Sequence, residues 1–199
     1  MRRYLFIAPL VLASAAGSLV AQTSADMWTI DPNHTNAQFA VKHLLVSTVR
    51  GQFEKLSGSI QMTGDDVRTI AVNVSIEAAS VNTRVQMRDN DLRSDNFFDV
   101  AKYPAITFVS KKSEPVEPGR FKLTGDLTIH GVTKEVVLDV EGPTPPLNQG
   151  QSQRIGASAT TKVNRHDFNL HYNRVIEAAP IVGDEITITI DVEATRRTG

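Results

Sequence analysis

From Trp28 onward, apolar side chains fall on alternate positions in run after run, and this two-residue period confines the chain to sheet with one buried face. Ile70, Val72, Val74 and Ile76 stand opposite Ala71, Asn73 and Ser75, and the same alternation carries Phe121, Leu123, Leu127 and Ile129. Trp28 and Ile30 enter the fold, and Phe39, Val41 and His43 share a face. Val49 to Phe53 and Ser57 to Met62 are extended pieces joined near Glu54 to Leu56, readable as one long strand bent at Gly58 or at a bulge. Ala105 to Lys112 is extended, and Gly119 to Gly142 reads as a hairpin turning at His130-Gly131. At roughly 3.3 Å per residue, Arg120 to Ile129 spans about 30 Å, which suits a tall barrel. Gly142 to Gln151, with Pro143, Pro145 and Pro146, is a loop. Ile155 to Val163, rich in Ala, Ser and Thr, leaves room beside it, and Ile186, Ile188, Ile190 and Val192 make the last strand. Regular turns without strand–helix alternation predict a mainly β, antiparallel barrel or sandwich of about eight strands. A closed sheet of that size is either filled by its own side chains or just wide enough for one small ligand.

One stretch breaks the period. Near residues 82–99 a short helical crossover is predicted, with Asn82 or Thr83 as cap, Val85, Asp89 and Leu92 near helical spacing, and Pro104 as the stop before the next strand. Arg84, Arg88 and Arg93 sit there among Asp89, Asp91, Asp95 and Asp99. Because close Arg–carboxylate pairs are the strongest charge-assisted hydrogen bonds between side chains, one reading is a salt-bridged brace over a barrel end. The other has the arginines facing an anionic head group.

The N-terminus has its own pattern. Arg2 and Arg3 precede an uncharged stretch from Tyr4 to Val20, and Ala21 is a small residue suited to cleavage, with Ala25 the alternative, so residues 1–21 read as a signal peptide and 22–199 as a single mature domain, periplasmic or secreted. Pro9, Ser14, Gly17 and Ser18 weaken that stretch as a membrane span. With no Cys, the chain forms no disulfide. Loss of Arg2 and Arg3 takes the formal charge from −1 to −3, which argues against a nucleic-acid partner.

His34, His43, His130, His166 and His171 lack metal-site spacing, and His166 and His171, five apart, are expected on opposite faces of a strand. No metal or cofactor is predicted. Nucleophile-elbow, phosphate-loop and dinucleotide motifs are missing, so a binding protein is expected in preference to an enzyme.

The crossover RDNDLRSDNFFDVAKYPAITFVS resembles the signature of the YceI-like, polyisoprenoid-binding family, Arg-Asp-x-His-Leu-Arg-Ser-x-Asp-Phe-Phe-Asp followed by a Tyr-Pro or Phe-Pro strand entry. WTIDPNHTNAQFAVKHLLVSTVRGQF is similar to the family's opening, GDLTIHGVTKEVVLDVEG to its hairpin, and NRHDFNLHYN with VGDEITITIDVEA to its closing strands, so the likeness spans Asp26 to Arg196. Asp91 stands where the family usually has His, Asn96 where it has Asp, and Asn169-Leu170-His171-Tyr172 where it often carries Gly and then Trp-Asn. The resemblance implies an eight-stranded, lipocalin-like barrel, often a homodimer, whose apolar tunnel holds a long-chain isoprenoid or fatty lipid exchanged with a membrane donor or acceptor. The wall is then expected from Phe39, Val41, Phe53, Ile60, Val72, Val74, Phe97, Phe98, Phe108, Phe121, Leu123, Leu127, Ile129 and Phe168. His34, His43, Arg84, Arg88 and Arg93 are the candidates for a polar head, and among a quinone, a polyprenyl phosphate and a fatty amide the arginines suit a phosphate best. An enzyme acting on a lipid head group and a structural, stress-associated protein are the alternatives.

Overall fold

Each apolar alternation becomes a pleated strand of one antiparallel meander. The computed structural model describes residues 26–172, 175–176 and 179–198, so residues 1–21, read as a signal peptide, lie outside the described residues. Its strands are β1 (Asp26–Ile30), β2 (Asn36–His43), β3 (Ser47–Phe53), β4 (Leu56–Thr63), β5 (Asp66–Glu77) and β6 (Val81–Asn82). Helix α1 (Gln86–Arg93) follows, then β7 (Ala105–Glu117), β8 (Arg120–Ile129), β9 (Val132–Glu141), β10 (Leu147–Gln149) and β11 (Ser152–Asn164). The two-residue strands β12 (Val175–Ile176) and β13 (Ala179–Pro180) pair with each other, and β14 (Val182–Arg197) ends the fold.

The first three wall strands are each broken once at a similar height. β1 and β2 lie end to end along the same edge of β14, pairing Ile30 with Ala194 and Asn36 with Asp191. The Thr35 hydroxyl bridges that break, accepting from the Glu193 amide at 3.1 Å and donating to the Glu193 carbonyl at 3.3 Å. β3 and β4 run against β2 and β1, and β5 and β6 against β4 and β3, with Ser80 bonding the amides of Glu54 and Lys55 where both breaks meet. So the join falls at Glu54-Lys55, within the expected Glu54–Leu56 stretch, and not at Gly58. Gly58 serves close approach, since a Cβ there lies 2.4 Å from the Asn73 carbonyl oxygen. Taken as continuous, β1–β2, β3–β4, β5–β6, β7, β8, β9, β11 and β14 make an eight-stranded barrel, closed by the long β11–β14 ladder. The expected loop at Gly142–Gln151 carries β10, which hydrogen-bonds to β11.

Both barrel ends are covered, in different ways. At the lower end Trp28, 1 % exposed, packs against Ile155 and Ala194, and the Arg196 guanidinium lies 4.4 Å from its ring centroid, held by Asp26 and Gln153. At the upper end the crossover stacks Phe97 on Tyr172 of the segment after β11, and the Leu44 amide of the β2–β3 turn donates to the Ile181 carbonyl at 3.1 Å. Val85, not Asn82 or Thr83, precedes α1, and it makes no side-chain cap. Instead Thr83, buried, donates its amide and hydroxyl to Asp89 Oδ1 at 2.8 and 2.5 Å, tying the entry to the first turn of the helix.

Candidate functional site

The barrel is hollow. A cavity of about 240 Å³ runs along its axis, in a measure by which roughly 10–15 Å³ admits one water. All fourteen residues expected in the wall line it: Phe39, Val41, Phe53, Ile60, Val72, Val74, Phe97, Phe98, Phe108, Phe121, Leu123, Leu127, Ile129 and Phe168. Alternation in the strands aims them inward, and side-chain size shapes the space. On β7, β8 and β9 the inward residues are large and buried, Phe108, Phe121, Leu123, Leu127, Leu138 and Val140 among them. On β2, β5 and β14 the inward Phe39, Val41, Val72, Val74, Ile186, Ile188 and Ile190 are only half-buried, because they border the open space. Gly156, Ala157 and Ala159 of β11 widen it on that side. Reading the last strand's Ile-x-Ile-x-Ile run as a partner of Phe39 and Val41 finds the wall residues that the resemblance alone leaves out.

The ceiling is aromatic. Phe39 packs on Phe53 (5.8 Å between centroids) and Phe53 edge-on against Phe98 (5.7 Å), while Phe97 stacks on Tyr172 at 4.6 Å. That last pair joins the crossover to the segment following β11.

The five head-group candidates lie elsewhere. None of His34, His43, Arg84, Arg88 and Arg93 lines the cavity. Arg88 donates to the Thr83 hydroxyl and carbonyl (2.7 and 2.9 Å), and Arg93 to the carbonyls of Ala79 and Val81 (both 2.7 Å). The crossover is therefore braced, but through main-chain carbonyls: among the described residues no ion pair joins its arginines to Asp89, Asp91, Asp95 or Asp99. The irregular chain from Ala79 to Thr83 leaves carbonyls without ladder partners, and the forked guanidinium satisfies them two at a time. Arg84 is exposed and left-handed, with φ 66°. His43 is half-buried at the end of β2.

His34 lies on the outer wall, its Nδ1 2.9 Å from Asp31 Oδ2 and 3.9 Å from Glu193 Oε1. These three groups are close enough to share a cation, but Arg154 pairs with both carboxylates and already supplies the positive charge. The hydrogen bond from His34 holds the Asp31 carboxyl below the usual range, helped by the Asn33 amide and Arg154.

Arg165, missed in the sequence, is the one ionisable side chain lining the cavity among the described residues. It is 4 % exposed and donates to the carbonyls of Gly183 (3.0 Å) and Leu170 (2.6 Å) and to Asp184 (2.9 Å). His166 and His171 also depart from expectation. A 3₁₀ turn over Arg165–Phe168, reversed by left-handed Asn169, brings their Nδ1 atoms to 3.1 Å, and His166 Nε2 meets Asp184 at 2.8 Å.

Residues 28–194 match the family model described as a YceI-like domain. The chain belongs to the YceI-like family. A UPF0312 protein of Staphylococcus aureus is 33 % identical to this YceI-like chain over 156 residues, covering 78 % of it and 88 % of the relative. The YceI protein of Campylobacter jejuni superimposes with a TM-score of 0.68 at 37 % identity, over 78 % of this chain and 90 % of that one. A polyisoprenoid-binding domain from Saccharophagus degradans, 17 % identical, shares the YceI-like fold with a TM-score of 0.62 over 86 % of this chain and 98 % of its own.

Proposed function

We propose that the protein is an exported carrier that shelters the hydrocarbon chain of an isoprenoid or similar long-chain amphiphile, tail toward Trp28 and an uncharged head at the crossover end. The observation that carries this reading is the apolar cavity, bordered by Gly156, Ala157 and Ala159 together with the half-buried residues of β2, β5 and β14. Burial of a tail is favourable by about 0.8 kcal/mol per methylene, so ten enclosed carbons contribute about 8 kcal/mol before the costs of association. The name of the Saccharophagus degradans domain, a structural neighbour, points the same way.

Charge selects the head. The guanidiniums of Arg88, Arg93 and Arg165 are occupied by carbonyls, a hydroxyl and Asp184, and Lys42, Arg50 and Arg84 lie outside the lining, so a phosphate buried within the cavity would lose its water without gaining a free cation there. A quinone, an alcohol or an amide avoids that penalty. With Arg165 as the one ionisable lining residue among those described, the enclosure offers no pair of proton-exchanging groups for cleaving a head group.

Native mass spectrometry of protein purified without added lipid tests this. A retained neutral long-chain mass is expected, and the same spectrum reads whether the protein is the homodimer that its resemblance implies. Protein of bare mass that also takes up neither added polyprenol nor a long-chain quinone would end the carrier reading, and preference for polyprenyl phosphate over polyprenol would end the choice of head.

A further inference from the structure

The barrel's upper end displays an apolar tip where solubility alone calls for polar residues. The turn between β2 and β3 is Leu44-Leu45-Val46, and both leucines are left-handed, with φ 51° and 60°. That conformation suits Gly or Asn at a hairpin tip, and a branched apolar residue adopts it only under strain. The strained turn holds Leu45 and Val46 in solvent, 65 % and 85 % exposed. Met87, on the first turn of α1, is 81 % exposed. It lies toward the same tip: β6 pairs Val81 with Phe53, and a Cβ on Gly51 falls 2.8 Å from Thr83 Cγ2, so the chain climbs beside β3 toward the turn as it approaches α1.

Charge on the β2–β3 hairpin is one-sided, although the crossover at the same end also carries Asp91, Asp95 and Asp99. From His34 to Phe53 the chain has no Asp or Glu and carries Lys42 and Arg50, both exposed, while exposed Arg84 sits just before α1. Among the described residues none of these three cations has an ion-pair partner. The nearest acids across the β2–β14 ladder are taken, Asp184 by Arg165 and Glu185 by Lys162. A chain of net formal charge −1 thus presents, on the β2–β3 hairpin and just before α1, unpaired cations beside bare aliphatic groups.

We propose that this end docks on an anionic lipid bilayer, with Leu45, Val46 and Met87 entering the interface and Lys42, Arg50 and Arg84 meeting the head groups. Aliphatic tips with flanking cations are the chemistry of reversible surface attachment. The proposal rests on the carrier reading in one respect: the docked end is the one the crossover covers, so a tail would pass between bilayer and barrel without crossing water. None of the six residues lines the cavity.

Flotation with vesicles of phosphatidylglycerol and phosphatidylethanolamine, beside vesicles of phosphatidylcholine alone, tests docking directly. The purified protein should float with the anionic vesicles and be released by salt. Lys42→Gln/Arg50→Gln/Arg84→Gln should lower that binding about tenfold or more. Leu45→Gly separates docking from architecture, because it relieves the left-handed strain: melting temperature should rise while vesicle binding falls. Undiminished flotation of Leu45→Gly or of Val46→Ser/Met87→Ser would overturn the proposal, as would wild-type protein that ignores anionic vesicles. Uptake of polyprenol from detergent solution, measured on the same variants, keeps the two readings apart: it should be unchanged if docking alone is lost, and its absence in wild-type protein that still floats would sink the carrier reading and leave the docking surface.

Discussion

The side-chain amide of Asn96 donates to the Asp91 carboxylate at 2.6 Å, joining the two crossover positions at which this chain departs from the usual family residues. With His at the first position and Asp at the second, the acceptor would sit on the other side. Here the roles are exchanged, and one donor still faces one acceptor.

Complementarity of that pair predicts non-additive mutants. Asn96→Asp alone sets two carboxylates against each other and should destabilise the protein, while Asp91→His/Asn96→Asp should recover most of the loss. A coupling of about 0.5–1 kcal/mol in a double-mutant cycle is expected for a surface pair. Additive effects in urea unfolding would mean that the contact contributes nothing.

Arg93 makes the crossover's strongest prediction. Its fork satisfies the carbonyls of Ala79 and Val81, so Arg93→Met should cost about 2 kcal/mol, a fall of about 4–8 °C in melting temperature for a chain of this size. Arg93→Lys should recover little, since a single ammonium does not reproduce the fork. Full rescue by lysine would show that charge alone is required.

The hollow can be closed from two sides. Ala159 borders the open half, so Ala159→Phe should fill it, abolish lipid uptake and leave the fold intact. At Gly125 a Cβ meets Phe108 Cζ at 2.5 Å and the Val109 carbonyl at 2.6 Å, so Gly125→Val should force the Phe108 ring aside at a cost of about 1–3 kcal/mol. Fluorescence of Trp28, the single tryptophan, reports both unfolding and occupancy. Normal uptake by Ala159→Phe would mean that the tail lies elsewhere.

Acid should weaken the outer wall through Asp31. Its carboxyl is depressed by His34, the Asn33 amide and Arg154, so the folded state holds fewer protons there than the unfolded chain. The contribution is complete above the ordinary carboxylate value near 3.8 and is lost as pH falls through the depressed value. Asp31→Asn should flatten the acid limb of a stability–pH curve. An unchanged limb would assign it to other carboxylates.

Export is tested at the N-terminus. If residues 1–21 are the signal, protein recovered outside the cytoplasm should begin at Gln22. An intact Met1-Arg2-Arg3 start on that protein would refute cleavage.

The barrel and the strand residues of its wall were legible in the chain because side-chain direction in a strand is a local property: the two-residue period points Val72, Phe121 and Leu127 to one side whatever they pair with, whereas Phe97, Phe98 and Phe168 lie outside the strands. Resemblance of the crossover to a known signature then supplied the hollow, which periodicity leaves open. What the arginines do was not legible. Arg88 and Arg93 sit among aspartates in sequence, yet their partners are carbonyls of Ala79, Val81 and Thr83, exposed by a break in β5–β6 that exists only once β3 and β4 have bent. Likewise Arg165, the contact between His166 and His171, and the lone cations Lys42, Arg50 and Arg84 at one end depend on chain reversals and on strands distant in sequence. Periodicity decides which way a side chain faces, but only closure of the sheet decides what it meets there.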